Sequence, residues 1–138
     1  MKPLVISPTY NEEKNISELI QRVLASFNDI EILIIDDNSP DGTSNKVKSL
    51  MQNNSRIHML ERSGKLGLGT AYCAGFKWAL EKGYDRIVQI DADMSHNPDD
   101  IANLLAESQT SDLVIGSRYI NGVNVVNWPL RRLILSYI

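Results

Sequence analysis

The sequence has little of several features that mark common protein classes. Its single cysteine, Cys73, excludes an internal disulfide, suits a reducing compartment, and is expected to be a small buried hydrophobic residue. With 14 basic against 17 acidic residues, the net charge is −3, so the chain lacks the basic footprint of nucleic-acid-binding proteins. No apolar run approaches the roughly 20 residues that cross a bilayer, and the amino terminus lacks a signal-peptide pattern. A composition of 43% hydrophobic and 22% charged residues predicts one globular domain.

Several functional motifs are also absent. The segment after the first apolar run lacks the glycine fingerprint of dinucleotide-binding oxidoreductases, and no Ser-His-Asp or Cys-His arrangement stands out. The acidic pair Asp36-Asp37 follows the second apolar run, whereas a phosphoacceptor receiver domain would carry such a pair after the first. The glycine-rich segment 64–70 matches neither standard phosphate-loop pattern, and Lys65 within it is either a diphosphate contact or a solvated lysine.

Short apolar runs alternate with helical patterns along the chain. The runs predict five strands, at residues 4–6, 32–35, 57–60, 87–90 and 113–115. Between them, apolar residues recur at helical spacing in stripes that begin at Ile16, Val47, Ala71 and Ile101. Strands that are apolar on both faces belong in a sheet covered by helices on both sides. The pattern therefore predicts an α/β protein, with a three-layer α/β/α architecture and a mostly parallel central sheet.

Polar residues follow the predicted strands, where ligands bind in open α/β sheets. Asp91 and Asp93 are two residues apart after the fourth run, so their side chains would point to the same face. Two converging carboxylates repel unless a cation joins them, and Mg²⁺ or Mn²⁺ binds such a pair together with diphosphate oxygens. The alternative is a solvated loop with helix-capping aspartates. For His96, a capping or loop role and metal ligation are equally open.

Other strand ends offer a base contact and cations. One carboxylate of Asp36-Asp37 could accept hydrogen bonds from a nucleobase or ribose, although residues 36–42 also have good turn chemistry. Arginine pairs phosphate oxygens through two parallel hydrogen bonds. Arg118 directly follows the fifth run, which favours it as a phosphate ligand over Arg131 and Arg132, either of which could face water on a helix.

Four segments in order resemble a known family. They are Pro8–Glu12, Ile35–Thr43, Asp91–Asp93 and Gly116–Tyr119. Together they resemble glycosyltransferase family 2, which has the nucleotide-diphospho-sugar transferase (GT-A, Rossmann-like) fold. Within the family, the segment 127–132 favours the dolichol- or polyprenol-phosphate mannosyltransferases.

The resemblance implies an inverting, metal-dependent enzyme that transfers mannose from GDP-mannose to dolichyl or polyprenyl phosphate. The guanosine of the donor would be held by Pro8, Tyr10, Glu12, Ile35 and Asp37. The ribose, the diphosphate and the Mg²⁺ or Mn²⁺ ion would meet Asp91, Ala92 and Asp93, with Asp91 and Asp93 as metal ligands. Asp93 and Arg118 would be catalytic; Arg118 would also contact the donor and, with Arg131, the acceptor phosphate. Some relatives have glutamine where this chain has Ser95, so the metal preference is open.

The resemblance covers essentially all 138 residues, but members usually continue for about another hundred. We therefore expect residues 1–138 to be the nucleotide-sugar-binding part of a GT-A domain, with the acceptor-side C-terminal portion missing or truncated. The lipid acceptor implies a peripheral position on the cytoplasmic side of a membrane, with a possible partner subunit. Two alternatives stay open: a family 2 transferase that uses a UDP-sugar such as UDP-glucose, and a non-catalytic nucleotide-sugar-binding module.

Overall fold

The computed structural model describes residues 1–117, which alternate between strands and helices. The elements are β1 (Pro3–Thr9), α1 (Ile16–Ser26), β2 (Glu31–Asp36), α2 (Thr43–Met51), β3 (Ile57–Glu61), α3 (Leu68–Glu81), β4 (Arg86–Gln89), a 3₁₀ turn (Pro98–Asp100) and α4 (Ile101–Glu107). The predictions of the first four strands and of all four helices are confirmed. Asn97 caps the 3₁₀ turn by accepting a hydrogen bond from the Asp99 backbone N–H, and Pro98 occupies its first position.

The sheet of the described residues has four parallel strands in the order β3-β2-β1-β4. The chain first moves outward from β1 through β2 to β3, then returns across the sheet to place β4 on the other side of β1. The strand order therefore reverses beside β1. Open α/β sheets bind ligands outside the carboxyl ends of the strands at such a reversal. The fold therefore predicts a ligand site among the loops after β1, β2 and β4.

The strands separate two apolar cores, because successive side chains of a strand point to opposite faces. On one face, Val5, Ile32 and Ile34 pack in a cluster with residues of α1, α2 and α4. On the other face, Leu4, Ile6, Leu33 and Ile35 pack in a cluster with Ala71 and Ala79 of α3. The predicted three-layer α/β/α architecture is confirmed.

Helix α3 lies very close to the sheet at Gly75. A Cβ atom at this position would be 2.7 Å from Ile35 Cδ1 and 2.9 Å from Ile6 Cγ2, closer than normal contact. Ala71, Gly75 and Ala79 are buried at four-residue spacing, so the small side chains of this face allow the approach. Cys73 lies off this stripe and is exposed, so the prediction that it is buried is wrong.

The predicted fifth strand is also wrong, because residues 111–117 form no strand or helix. Leu113 and Ile115 are each 77% exposed, so this apolar run is not covered by the sheet or its helices. None of the helices within residues 1–117 combines the length and the apolar character that a membrane-spanning helix requires.

Candidate functional site

The loops after β1 and β2 are braced against each other at the carboxyl edge of the sheet. Asp36, which is 1% exposed, accepts hydrogen bonds from Thr9 Oγ1 at 2.9 Å and from the Ser39 backbone N–H at 2.9 Å. Ser39 Oγ in turn accepts the Asn11 backbone N–H at 3.0 Å. Asp41 accepts the Glu13 backbone N–H across the same junction and the Thr43 backbone N–H within its own turn. Asp36 therefore builds the turn and leaves the neighbouring Asp37 to face the site.

Asp37 is held by an arginine that directly follows β3. Arg62 Nε donates to Asp37 Oδ1 at 2.6 Å, and Arg62 Nη2 donates to Asp37 Oδ2 at 2.7 Å. The hydrogen bonds that Arg62 donates to Asp37 raise the pKa of Arg62 above its ordinary value, more than burial lowers it. The two parallel hydrogen bonds fix the orientation of the Asp37 carboxylate.

Asp37 lines a small recess at the carboxyl end of β1. The recess measures about 100 Å³ and is bounded by Pro8, Thr9, Tyr10, Asp37, Lys65 and Leu68. Lys65 Nζ lies 4.8 Å from the centre of the Tyr10 ring, a cation–π arrangement. Leu68 is 60% exposed and Tyr10 is 38% exposed, so the recess combines a carboxylate with apolar and aromatic surface open to a ligand.

Two residues expected to contact the guanosine lie away from the walls of this recess. The carboxylate of Glu12 accepts a hydrogen bond from Asn15 Nδ2 at 3.1 Å, and the Glu12 backbone N–H donates to Thr43 Oγ1 at 3.0 Å. The Ile35 side chain is fully buried beneath α3, close to Gly75. Glu12 is thus placed to hold the loop, and Ile35 can meet a ligand only through its main chain.

The loop after β4 presents the second pair of predicted site residues. Ala92 is 3% exposed and packs into the core on the α1 side, whereas Asp93 is exposed and the Asp91 side chain is 42% exposed. Ala92, between the two carboxylates, therefore anchors the loop and leaves both acids outside the core. Carboxylate oxygens of this kind are the ligands that Mg²⁺ and Mn²⁺ prefer.

Asp91 is positioned by two neighbours. Tyr72 of α3 donates its hydroxyl to Asp91 Oδ1 at 3.3 Å, and the Asp91 backbone N–H donates to His96 Nδ1 at 3.1 Å. His96 Nε2 is 4.0 Å from Asp91 Oδ2. His96 thereby fastens the loop back on itself, which is the loop role left open by the sequence.

The electrostatics around Asp93 favour the ionised carboxylate. Burial raises the pKa of Asp93. The hydrogen bonds from the Ser95 side chain and backbone, together with the charge of His96, lower it by more, so the net pKa is below its ordinary value. The Ser95 backbone N–H lies 2.9 Å from Asp93 Oδ1. Among residues 1–117, no three His, Cys, Asp or Glu side chains are grouped to hold a metal ion. A cation at Asp91 and Asp93 would therefore take its remaining oxygens from a bound ligand or from water.

Each of the three loops contains one non-glycine residue in the left-handed region. These residues are Asn11 at φ 59°, Asn38 at φ 57° and Met94 at φ 63°. Asparagine tolerates this conformation, but methionine rarely adopts it. Backbone strain of this kind clusters at binding and catalytic sites, where the fold holds a loop in one shape.

The sequence reasoning missed Arg62. The signal that identified the other residues, a polar side chain just after a strand, also points to Arg62, which lies two residues after the predicted strand 57–60 and directly after the observed end of β3 at Glu61. The pairing with Asp37 joins positions 25 residues apart, and spacing alone does not reveal it. Arg118 and Arg131, expected at the phosphates, lie outside the described residues.

Comparison with known proteins identifies relatives over most of the chain. The family model described as glycosyl transferase family 2 matches residues 4–138. Polyprenol monophosphomannose synthase of Mycolicibacterium smegmatis is 47% identical over 98% of this chain and 52% of its own length. Undecaprenyl-phosphate mannosyltransferase of Micrococcus luteus is 43% identical over 99% of this chain and 56% of its own length. Dolichol-phosphate mannosyltransferase of Pyrococcus furiosus is 40% identical over 99% of this chain and 38% of its own length.

Solved structures share the fold. The mannosyltransferase PcManGT of Pyrobaculum calidifontis, in complex with GDP-Man and Mn²⁺, matches 75% of this chain and 31% of its own, with a TM-score of 0.65 and 24% identity. S. aureus TarS matches 92% of this chain and 23% of its own, with a TM-score of 0.62 and 27% identity. The chain spans about half the length of the first two relatives named above.

Proposed function

Because this chain belongs to glycosyl transferase family 2, we propose that it is the donor-binding part of an inverting glycosyltransferase that moves mannose from GDP-mannose to polyprenyl or dolichyl phosphate. The observation that carries the proposal is the position of Asp37, Asp91 and Asp93 in the loops directly after β2 and β4, the two strands that flank β1, at the carboxyl edge of the sheet. The mannose and the lipid phosphate are supported by relatives at 40–47% identity whose names specify both.

The base of the donor would occupy the recess beside Asp37. The fixed carboxylate accepts hydrogen bonds from N–H groups of the base, and the Tyr10 ring offers a surface for stacking. Pro8 lines the same recess, while the main chain of Ile35 and the loop fixed by Glu12 would shape it from below. With the base in this recess, the nucleoside would lie over β1 and the diphosphate would extend toward the loop after β4.

The diphosphate would lie beside Asp91, Ala92 and Asp93. A divalent cation held by Asp91 and Asp93 would supply positive charge to the departing diphosphate. In this chain, Ser95 and His96 keep Asp93 ionised, and Tyr72 orients Asp91. The ionised form of Asp93 is therefore favoured, and the direction of Asp91 is fixed by the Tyr72 hydroxyl.

The acceptor is a phosphate monoester, which is already anionic at neutral pH. Its oxygen can attack the anomeric carbon without a general base, and a single displacement inverts the configuration at that carbon. The task of the protein is then to bring two anions together in line. We propose two cations for this task, in the part of the chain that follows residue 117: Arg118, which would contact both donor and acceptor, and Arg131, which would contact the acceptor.

The lipid chain of the acceptor places the reaction at a membrane surface. We propose peripheral association on the cytoplasmic side, with contacts from the lipid acceptor, from further parts of the enzyme or from a partner subunit. The relatives' names, which specify polyprenol, undecaprenyl phosphate and dolichol phosphate, support a membrane lipid as the acceptor class.

Calorimetric titration of the 138-residue chain with GDP-mannose and with UDP-glucose, each with and without Mn²⁺, tests the donor. We expect Mn²⁺-dependent binding of GDP-mannose that is stronger than binding of UDP-glucose. Asp93→Asn should abolish the gain in affinity that Mn²⁺ gives, because the substitution removes a charged oxygen ligand. The matched control is Asp99→Asn, which removes an aspartate that pairs with Arg22 at 3.0 Å on the 3₁₀ turn.

Preference for UDP-glucose would replace the proposed donor with a UDP-sugar. Asp93→Asn with an unchanged Mn²⁺ effect would overturn the metal assignment. Transfer of mannose to polyprenyl phosphate by the 138-residue chain would establish the whole reaction. Donor binding without transfer would support the reading of this chain as a nucleotide-sugar-binding module.

A further inference from the structure

Met94 has a backbone conformation that its residue type rarely adopts. Its φ is 63°, in the left-handed region, where a Cβ atom crowds the backbone. Asn11 and Asn38 hold the same conformation in the loops after β1 and β2, and both asparagines are exposed. At those two positions the chain has a residue type suited to a left-handed turn. The methionine at position 94 therefore requires another reason.

The side chain of Met94 supplies that reason, because it is partly buried and packs against the core cluster on the α1 side of the sheet. Ala92, two residues earlier, is 3% exposed and belongs to the same cluster. Asp93, which lies between them, is exposed. The loop is thus attached to the core on both sides of Asp93.

The left-handed backbone of Met94 shapes the turn that carries the Asp93 carboxylate. Across this residue, the Ser95 backbone N–H reaches back to Asp93 Oδ1 at 2.9 Å. The loop closes around the turn through the hydrogen bond from the Asp91 backbone N–H to His96 Nδ1 at 3.1 Å. Both hydrogen bonds are exposed to water, which competes for the same groups. They shape the loop from within, whereas the Met94 side chain fixes the position of the loop relative to the sheet.

We propose that Met94 is a positioning residue for the divalent cation: its side chain, packed against the core, keeps the strained turn in place and so holds the Asp93 carboxylate where it can bind the ion together with Asp91. The inference rests on the proposed metal site at these two aspartates. Left-handed strain persists only where the surrounding structure over-determines the conformation, and such strain clusters at binding sites. The packing of Met94 supplies that constraint in this loop.

Titration of the 138-residue chain with Mn²⁺ in the presence of GDP, and with GDP in the absence of Mn²⁺, tests this role. Met94→Asn introduces a residue type that tolerates the left-handed region but removes the apolar anchor. We expect this variant to bind Mn²⁺ about tenfold more weakly, the scale on which groups that orient metal ligands act. Its affinity for GDP without Mn²⁺ should stay unchanged, because Met94 does not line the recess beside Asp37.

Met94→Leu is the conservative variant. Leucine is apolar and similar in volume, so it keeps the anchor, and we expect it to bind Mn²⁺ as the unaltered chain does. The matched control is Met51→Asn, which makes the same substitution at the end of α2, in a methionine that packs against the same core cluster. Met51→Asn should lower the free energy of unfolding, measured with urea, and leave the Mn²⁺ affinity unchanged. The control thereby separates a general loss of core packing from a change at the loop.

The outcomes separate this inference from the proposed function. If Met94→Asn is folded, by circular dichroism, and binds Mn²⁺ as the unaltered chain does, the role of Met94 is overturned while the metal site stands. If Met94→Asn does not fold, an unchanged Mn²⁺ affinity in Met94→Gly overturns it instead, because glycine adopts the left-handed region freely and also lacks the anchor. Equal losses of Mn²⁺ affinity in Met94→Asn and Met51→Asn would overturn it as well. If the unaltered chain gains no affinity from Mn²⁺, the proposed metal site is wrong and this inference falls with it.

Discussion

Tyr72 shows how a single side chain connects a helix to the carboxylate site. Its hydroxyl reaches Asp91 Oδ1 from α3 at 3.3 Å. Burial, together with the charge of Asp91 and this hydrogen bond, raises the pKa of Tyr72 well above its ordinary value. The hydroxyl therefore stays protonated at neutral pH and donates to Asp91, which fixes the direction of the carboxylate.

Tyr72→Phe should weaken Mn²⁺-dependent binding of GDP-mannose by roughly tenfold, because groups that orient metal ligands commonly contribute that much to metal affinity. Calorimetry at neutral pH measures the change. The control is Tyr84→Phe, which removes a hydroxyl bonded to Glu31 at 2.7 Å outside the Asp91–Asp93 loop. An unchanged Mn²⁺ effect in Tyr72→Phe would show that Asp91 does not depend on this hydroxyl.

At the same scale, the sequence identifies some of the polar residues at the carboxyl edge of the sheet but not how they pair. Asp37, Asp91 and Asp93 follow directly from their positions after predicted strands. The different roles of Asp36 and Asp37 cannot be predicted in this way. They depend on which carboxylate contacts Thr9 and Ser39 and which contacts Arg62. Contacts across the sheet decide such roles, and one sequence carries no local signal for them.

At the scale of elements, α3 owes its position to Gly75. Ile6 and Ile35 fill the space directly opposite this residue, so the helix can approach the sheet only without a side chain there. The same helix positions Tyr72 to contact Asp91, and it begins at Leu68, which lines the recess. A small shift of α3 away from the sheet would disturb both parts of the site.

Gly75→Ala should lower the free energy of unfolding by about 1–2 kcal/mol, since overpacking of a core typically costs 1–3 kcal/mol and the better helix propensity of alanine returns part of this. Gly69→Ala in the first turn of the same helix is the control, because a Cβ there meets nothing within 4 Å. The control should be neutral or stabilising by up to about 1 kcal/mol. Equal urea midpoints for the two variants would contradict the tight approach at Gly75.

The elements themselves were largely predictable, because four apolar runs lie in the sheet and four stripes at helical spacing cover it. The run at 113–115 has the same composition as a strand, yet Leu113 and Ile115 remain exposed. Apolar and β-branched residues favour a strand only where a neighbouring strand offers backbone partners. Whether a neighbouring strand is present depends on the tertiary structure, which the local sequence pattern does not show. The pattern therefore predicts one strand too many at residues 113–115.

At the scale of the whole molecule, the two ends of the sheet carry different chemistry. The carboxyl end holds the site, whereas Glu31 near the amino end contacts His58 and Tyr84. Burial raises the pKa of Glu31. The hydrogen bonds from His58 and Tyr84, together with the charges of His58 and Lys2, lower it by more, so the net pKa is below the ordinary value of 4.5. The folded protein therefore holds the ionised form more strongly than the unfolded chain does.

This shift predicts acid sensitivity. A lowered folded pKa adds stability that is complete above the unfolded value of about 4.5 and is lost as the pH falls through the folded value. The free energy of unfolding should thus decline below about pH 4.5, and Glu31→Gln should make the decline shallower. Urea unfolding at a series of pH values measures the slope. Glu81→Gln, at an exposed position of α3, should keep the slope of the unaltered chain.

The strand order also has a consequence in time. Strands β1, β2 and β3 pair in the order in which a ribosome makes them, whereas β4 must return to the free side of β1 after more than 80 residues have emerged. Chains generally fold from the amino terminus during synthesis. The recess beside Asp37 can therefore form before the Asp91–Asp93 loop has emerged, so the two halves of the crevice are completed one after the other.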